Sequence, residues 1–381
     1  MSEPRFRVWF GDTAASTEAL QRIERIEVVQ EMDAIWEARI EMALCLDEKG
    51  VWLHWPGATS APFSRIRVEI DIGDGRFVPL IDGPLVSIDG ALDAAPGRSV
   101  ASMIVRDDSA FLDRDEDVEP PFEHRSDSDI AEEFFRRFAQ IRDTRVERTQ
   151  ATPQTTVRRG TVLQFLRTLA SRNDRHAYVL PGATPGASIG CFLADPAGHE
   201  DLPPLRLLGA DRNLADARIV ENPHGAERTA ARVLSLDDRG VVTFETSAAD
   251  LGLMRDLPAR PVDLTPRRLL PPADNLRADP SAAASGRARR AGYVYTLTSE
   301  LTPGCYGAVL APYRKLRVDA GATPYSGAYL LTRVTHRITP SVYSQHIEAK
   351  TDSLTRVSGA QVAEAAGGAL QLSVSASVEV F

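Results

Sequence analysis

The sequence predicts a β-rich α+β protein. Period-two alternation of apolar residues marks both ends of the chain, and a stretch of helical periodicity lies between them. The alternation is clearest at 34–44, 66–72 and 370–380, and the helical spacing at 130–141 and 162–169.

In DAIWEARIEMALCL, Ala34, Trp36, Ala38, Ile40, Met42 and Leu44 fall on one face, and Ile35, Glu37, Arg39, Glu41 and Ala43 on the other. That is the pattern of a strand with one buried side. RIRVEIDI repeats it, with Ile66, Val68, Ile70 and Ile72 opposite Arg67, Glu69 and Asp71. Asp74-Gly75 then signals a hairpin into FVPLIDGPLVSID. SVASMIVRDDSAFLDR is a further strand that ends in a short helix or turn. Several short strands separated by turns indicate a barrel or sandwich over residues 1–117.

The acidic, proline-containing RDEDVEPPFEH is a boundary by composition, and after it the period changes. Ser126 and Asp129 form a capping box, and Ile130, Phe134, Phe135, Phe138 and Ile141 make one apolar helical face. Thr161 caps a second helix, in which Val162, Phe165, Leu166 and Leu169 face inward and Asn173 is the stop. HAYVL follows as a strand, so 118–204 is predicted to be a small α/β domain. Strands return over 205–355, interrupted at 255–290 by a segment rich in Pro, Ala, Arg and Ser that is predicted to be an exposed excursion.

Residues 356–381 are an Ala/Gly-rich linker and a last amphipathic strand. There Leu370, Leu372, Val374, Ala376, Val378 and Val380 alternate with polar residues up to Phe381. With no hairpin partner beside it, this strand either adds to a sheet of another chain or folds back on its own barrel. Leu370, Leu372, Val374, Val378, Val380 and Phe381 are the candidate partner-binding residues.

Composition narrows the function. A net charge of −9 and a pI near 5.4 supply no basic face for nucleic acid. Cys45, Cys191 and Cys305 are isolated and odd in number, which fits a reducing compartment and neither a metal motif nor a disulfide framework. The N-terminus lacks a signal-peptide core and no segment is long and apolar enough for a bilayer, so cytoplasmic synthesis without membrane insertion is expected.

The run GAYLLTRVTHRITPSVYSQHIEAK holds two of the seven histidines, His336 and His346. A hairpin turning near Pro340–Ser341 pairs His336 with Gln345 and His346 with Thr335, making the histidines diagonal neighbours. No third ligand joins them, and their neighbours are hydroxyls rather than an activated nucleophile, so both are expected at surface or barrel-rim positions. The DRDED run at 113–117 lacks the Gly and Glu of an EF-hand calcium loop, having Val118 and His124 in their places, and is expected to be a solvated linker. Asp107 and Asp108 are adjacent and point to opposite faces of a strand, which argues against a paired-acid site. No nucleotide-binding, hydrolase or zinc-protease motif is present, and neither a catalytic residue, a metal nor a cofactor is expected.

The order of these segments resembles the late control gene D family of contractile-tail phages, and the hub portion of type VI secretion spike proteins is similar. The resemblance rests on four pieces. Asp107, Ser109 and Leu112 match a strand ending in D-x-S-x-x-L. A capped helix follows. Phe165, Leu166, Leu169 and Ala170 match an F-L-x-x-L-A helix before a strand. Gly327, Tyr329, Val334, His336, Tyr343 and Ile347 match the closing hairpin. CYGAVLAPYRKLRV in addition resembles hubs of extracellular phage-tail-like injection particles. Over residues 20–355 the resemblance implies two hub-type β-barrel domains with the α/β domain inserted between them. It implies a structural baseplate hub, a homotrimer that adapts a hexameric inner tube to a separate trimeric spike and meets other baseplate proteins in a tail-like particle. Two alternatives stand beside it: a tail-associated peptidoglycan-cleaving hub, supported only by the acidic pair, and an unrelated β-rich carbohydrate-binding module.

Overall fold

The computed structural model describes residues 5–53, 61–95, 97–150, 155–198, 202–221, 228–234, 241–248, 250–251, 253, 267–270, 280–321 and 323–352. The first part of the chain contributes β1 (Arg5–Phe10), β2 (Thr13–Ala14), α1 (Thr17–Gln21), β3 (Ile23–Glu31), β4 (Glu37–Ala43), β5 (Cys45–Leu46), β6 (Trp52–Leu53), β7 (Arg65–Asp71), β8 (Val78–Ala91), β9 (Val100–Arg106) and α2 (Ser109–Leu112). The middle contributes α3 (Asp127–Arg136), β10 (Ile141–Val146), α4 (Val162–Arg172), β11 (His176–Leu180) and β12 (Ser188–Leu193). The rest contributes β13 (Leu205–Arg206), β14 (Arg218–Glu221), β15 (Arg228–Leu234), β16 (Val241–Ser247), β17 (Arg267–Leu269), α5 (Pro280–Gly292), β18 (Tyr295–Glu300), β19 (Lys315–Asp319), β20 (Gly327–Ile338) and β21 (Tyr343–Thr351).

One large sheet dominates. Its order is β14-β18-β21-β20-β3-β4-β9-β8-β7-β1-β2, with β19 beside β20 and β13 beside β19. All its pairings are antiparallel except the short β13–β19 ladder. β20 joins the two halves. Along one edge its first residues pair with β19 and Arg333–Ile338 pair with β3, while β21 takes the other edge. Among the described residues three extended apolar clusters result, beside a small fourth of Leu270, Ala283 and Ala284. One lies on β1, β3, β4 and β7–β9 around Val8, Ile26, Ile40, Val68 and Met103. A second, around Leu205, Leu297, Leu316, Tyr329 and Ile347, lies on the later strands. The third fills the middle unit, where α3 and α4 cover a three-stranded sheet ordered β10-β12-β11.

Helix caps are placed as their chemistry requires. Ser126 Oγ accepts from Asp129 N at 3.1 Å, and Thr161 with Gln164 forms a reciprocal capping box. α3 ends at Arg136, however, and Ile141 opens β10 instead of continuing the helix. A second departure concerns the proline-rich stretch. Its 280–290 part belongs to α5, with Ala283, Ala284 and Ala288 buried, so that part is a packed element and not an exposed excursion. The residues singled out at the C-terminus, Leu370 to Phe381, lie outside the described residues. No described helix is long and apolar enough to cross a membrane.

Candidate functional site

The buried face of β7 follows the alternation, with Ile66, Val68 and Ile70 fully buried. Its other face, expected in solvent, is buried too: Arg67 is 1% exposed, Glu69 6% and Asp71 0%. The loop between β11 and β12 caps Arg67 on this face. Arg67 donates to Gly182 O at 2.8 Å, Ala183 O at 3.2 Å, Glu69 Oε1 at 2.8 Å and Asp82 Oδ2 at 3.1 Å. Arg65 donates to Asp82 Oδ1 at 2.6 Å and, through both terminal nitrogens, to Asp108. From the loop side, Gly186 N donates to Asp82 at 2.9 Å and Ser188 Oγ to Asp108 at 2.7 Å. Buried charges persist only when paired and hydrogen-bonded, and here every carboxylate of the lock meets a guanidinium.

Asp107 and Asp108 therefore have separate duties. Asp107 accepts from Trp36 N at 2.6 Å, Ser109 N at 2.8 Å and the Ser109 hydroxyl, tying β4 to the turn that starts α2. Burial pushes its carboxyl up to about 6 against those donors. Burial also raises Asp108, opposed by Arg65. A Cβ on Gly83 would sit 2.0 Å from Arg106 O, so only glycine lets β8 pass this close to the turn.

A second contact between the middle unit and the sheet centres on His176, 4% exposed. Its Nδ1 lies 2.9 Å from Asp33 Oδ1, in the turn between β3 and β4, and its Nε2 lies 3.1 Å from Asp195 Oδ1, just after β12. Tyr293 donates its hydroxyl to Asp195 at 2.9 Å, and the Tyr313 hydroxyl accepts from Asp33 N at 2.7 Å. Tyr313 stacks on Tyr178 with ring centres 3.7 Å apart. Burial pulls His176 down, but the hydrogen bonds and charges of Asp195 and Asp33 outweigh it and the imidazole is raised above its ordinary value. Burial likewise pushes the two carboxylates up, and His176 more than offsets it, bringing Asp195 to about 2 and Asp33 below the usual range.

The two histidines of the closing hairpin do not converge. The β20–β21 register pairs His336 with Gln345 and Thr335 with His346, which puts the histidines on opposite faces of the ladder. His336 is not a surface residue: it is 0% exposed, with Nδ1 2.9 Å from the Tyr343 hydroxyl and Nε2 3.2 Å from Gln30 Oε1. Gln30 donates its amide to Leu80 O at 2.7 Å, so its oxygen faces the ring; Nε2 carries the proton and Nδ1 accepts from Tyr343. Burial pulls His336 down to about 3, so it is a neutral core group. Among the described residues no group of three or more His, Cys, Asp or Glu could hold a metal. An apolar groove of about 220 Å³ lies beside this hairpin, lined by Ile72, Leu301, Pro303, Tyr306, Val342 and Tyr343.

Comparison by sequence finds nothing: no protein-family model and no curated protein matches the chain. Comparison by structure does. The tail protein from Neisseria meningitidis MC58 superposes with a TM-score of 0.64 at 13% identity, over 92% of this chain and 97% of that one. The chain shares the fold of this tail protein. The 43 kDa tail protein of prophage MuSo2 from Shewanella oneidensis gives a TM-score of 0.62 at 15% identity, over 90% of this chain and 97% of that one. The E. coli c3393 protein, a type VI secretion component with structural similarity to the T4 tail proteins gp27 and gp5, gives 0.51 at 11% identity, over 94% and 80%. The resemblance read from four sequence motifs and the likeness of the whole fold point to the same group of proteins.

Proposed function

We propose that the chain is a structural baseplate hub of a contractile, phage-tail-like injection device. In this reading residues 1–117 and 205–355 are two barrel-like domains with the α/β domain 118–204 inserted. Three copies form a ring that presents a near-sixfold face to a hexameric inner tube and a threefold face to a separate trimeric spike. The observation that carries the reading is the likeness to two tail proteins over nine-tenths or more of every chain involved, together with the type VI component that is itself similar to T4 tail proteins. Two apolar cores in one sheet joined through β20 support the two-domain division. A peptidoglycan-cleaving role loses its support, because Asp107 and Asp108 are consumed by structural bonds.

The spike and tube proteins should be encoded beside this chain. Co-expression with those neighbours and affinity capture of the hub should recover both, and recovery of neither would overturn the reading. Removing 368–381 should weaken spike recovery without affecting folding if Leu370, Leu372, Val374, Val378, Val380 and Phe381 pair with the spike; unchanged recovery would place that strand's role within its own chain.

A further inference from the structure

Three of the five described non-glycine residues with a left-handed backbone gather at the His176 corner: Asp33 (φ 57°), Asp174 (φ 54°) and Tyr313 (φ 61°). A tyrosine keeps this conformation only where the surroundings over-determine it. What they surround is an imidazole with a carboxylate on each nitrogen. A neutral imidazole carries one N–H and can donate to one of them; only the imidazolium donates to both.

We propose that His176 is a proton-operated pin. As the imidazolium it clamps Asp33 of the β3–β4 turn to Asp195 of the α/β unit. Loss of the proton frees one carboxylate and lets the three-stranded unit loosen from the main sheet at this corner. This does not depend on the hub reading.

The groups facing the corner come from every element packed on it. β21 supplies Lys350, whose ammonium lies 4.3 Å from the Tyr293 ring centre and which burial holds below its ordinary pKa. α4 supplies Arg167, whose buried Nε and Nη2 meet no partner among the described residues. α5 supplies Arg289, bonded to Asp174 Oδ2 at 2.6 Å, and Arg290, bonded to Ser171 Oγ at 2.8 Å and Arg175 O at 3.1 Å. Tyr293, Tyr313 and Tyr178 complete the surround and stay protonated, their hydroxyls raised by burial. The surrounding cations do not replace the imidazolium, since none of them bonds both Asp33 and Asp195.

The sign follows from linkage. A group raised in the folded state gives its full stabilisation below its unfolded pKa and loses it as pH rises through the folded one. Local opening should therefore increase above pH 6.5, the ordinary histidine value, by up to about tenfold per pH unit, and level off past the folded pKa.

The test is amide hydrogen exchange on the full chain from pH 6 to 9, corrected for intrinsic rates, with amides of β11 and β12 read against Leu166 and Val68 as internal controls. His176 is titrated in parallel by NMR. Opening of β11–β12 should rise with pH relative to the controls, and His176 should titrate above 6.5. In Asp33→Asn the new amide can donate to a neutral Nδ1, and Asn tolerates the left-handed backbone as Asp does. That variant should flatten the rise and lower the histidine titration. Opening that stays level across this range in the wild type, a His176 titration at or below 6.5, or an equal rise in Asp33→Asn would each overturn the proposal.

Discussion

The α/β unit is attached to the large sheet twice, and the two attachments differ in kind. At the β7 end, Arg65 and Arg67 meet Asp82, Asp108 and loop carbonyls 182–183. At the β3–β4 turn, a single imidazole meets two carboxylates. Guanidinium stays charged at any pH a cell meets, so the first attachment is permanent; imidazole titrates in the physiological range, so the second is conditional. The lesson is that a buried, hydrogen-bonded joint is fixed or adjustable according to which cation sits at its centre.

Variants can separate the two. Arg67→Ala should be the most severe, because it leaves Asp82, Glu69 and buried carbonyls without their donor. A loss of about 3–5 kcal/mol in urea unfolding is expected; a loss under about 1 kcal/mol would break the picture of a buried lock. Asp108→Asn removes the charge opposite Arg65 but keeps the shape, and should cost about 2 kcal/mol. Asp195→Asn acts on the other joint, where the cost should be about 1 kcal/mol at pH 6 and fall toward zero by pH 9, as the histidine loses its charge in the wild type. Equal costs at both pH values would erase the distinction. Arg106→Ala removes an ion pair with Glu37 in which both side chains are nearly half exposed, and should change stability by less than about 1 kcal/mol.

Much of the framework was legible in the chain. The alternation at 34–44 correctly marked Trp36, Ala38, Ile40, Met42 and Leu44 as buried, and the turn near Pro340 fixed the His336–Gln345 register. Both succeed because period and turn chemistry are local. The attachments were not legible. Arg67, Glu69 and Asp71 read as a solvent face because the loop carbonyls that receive Arg67 lie more than a hundred residues later in the chain. His336 read as exposed because its partner Gln30 is likewise distant in sequence, and a hydrogen-bonded core histidine has no periodic signature. His176 drew no attention within HAYVL, although an imidazole opening an otherwise apolar strand was the available signal. α5 was hidden by its neighbours: the prolines cluster before it, Pro280 opens it where its missing N–H costs nothing, and the alanine-rich run behind is favourable helix sequence.

The functional reading stands on how many copies assemble. Native mass spectrometry of the full chain with the spike protein which that reading implies measures this directly. Three copies of this chain per spike trimer are predicted, and a chain that stays single, alone and with the spike, would contradict the account.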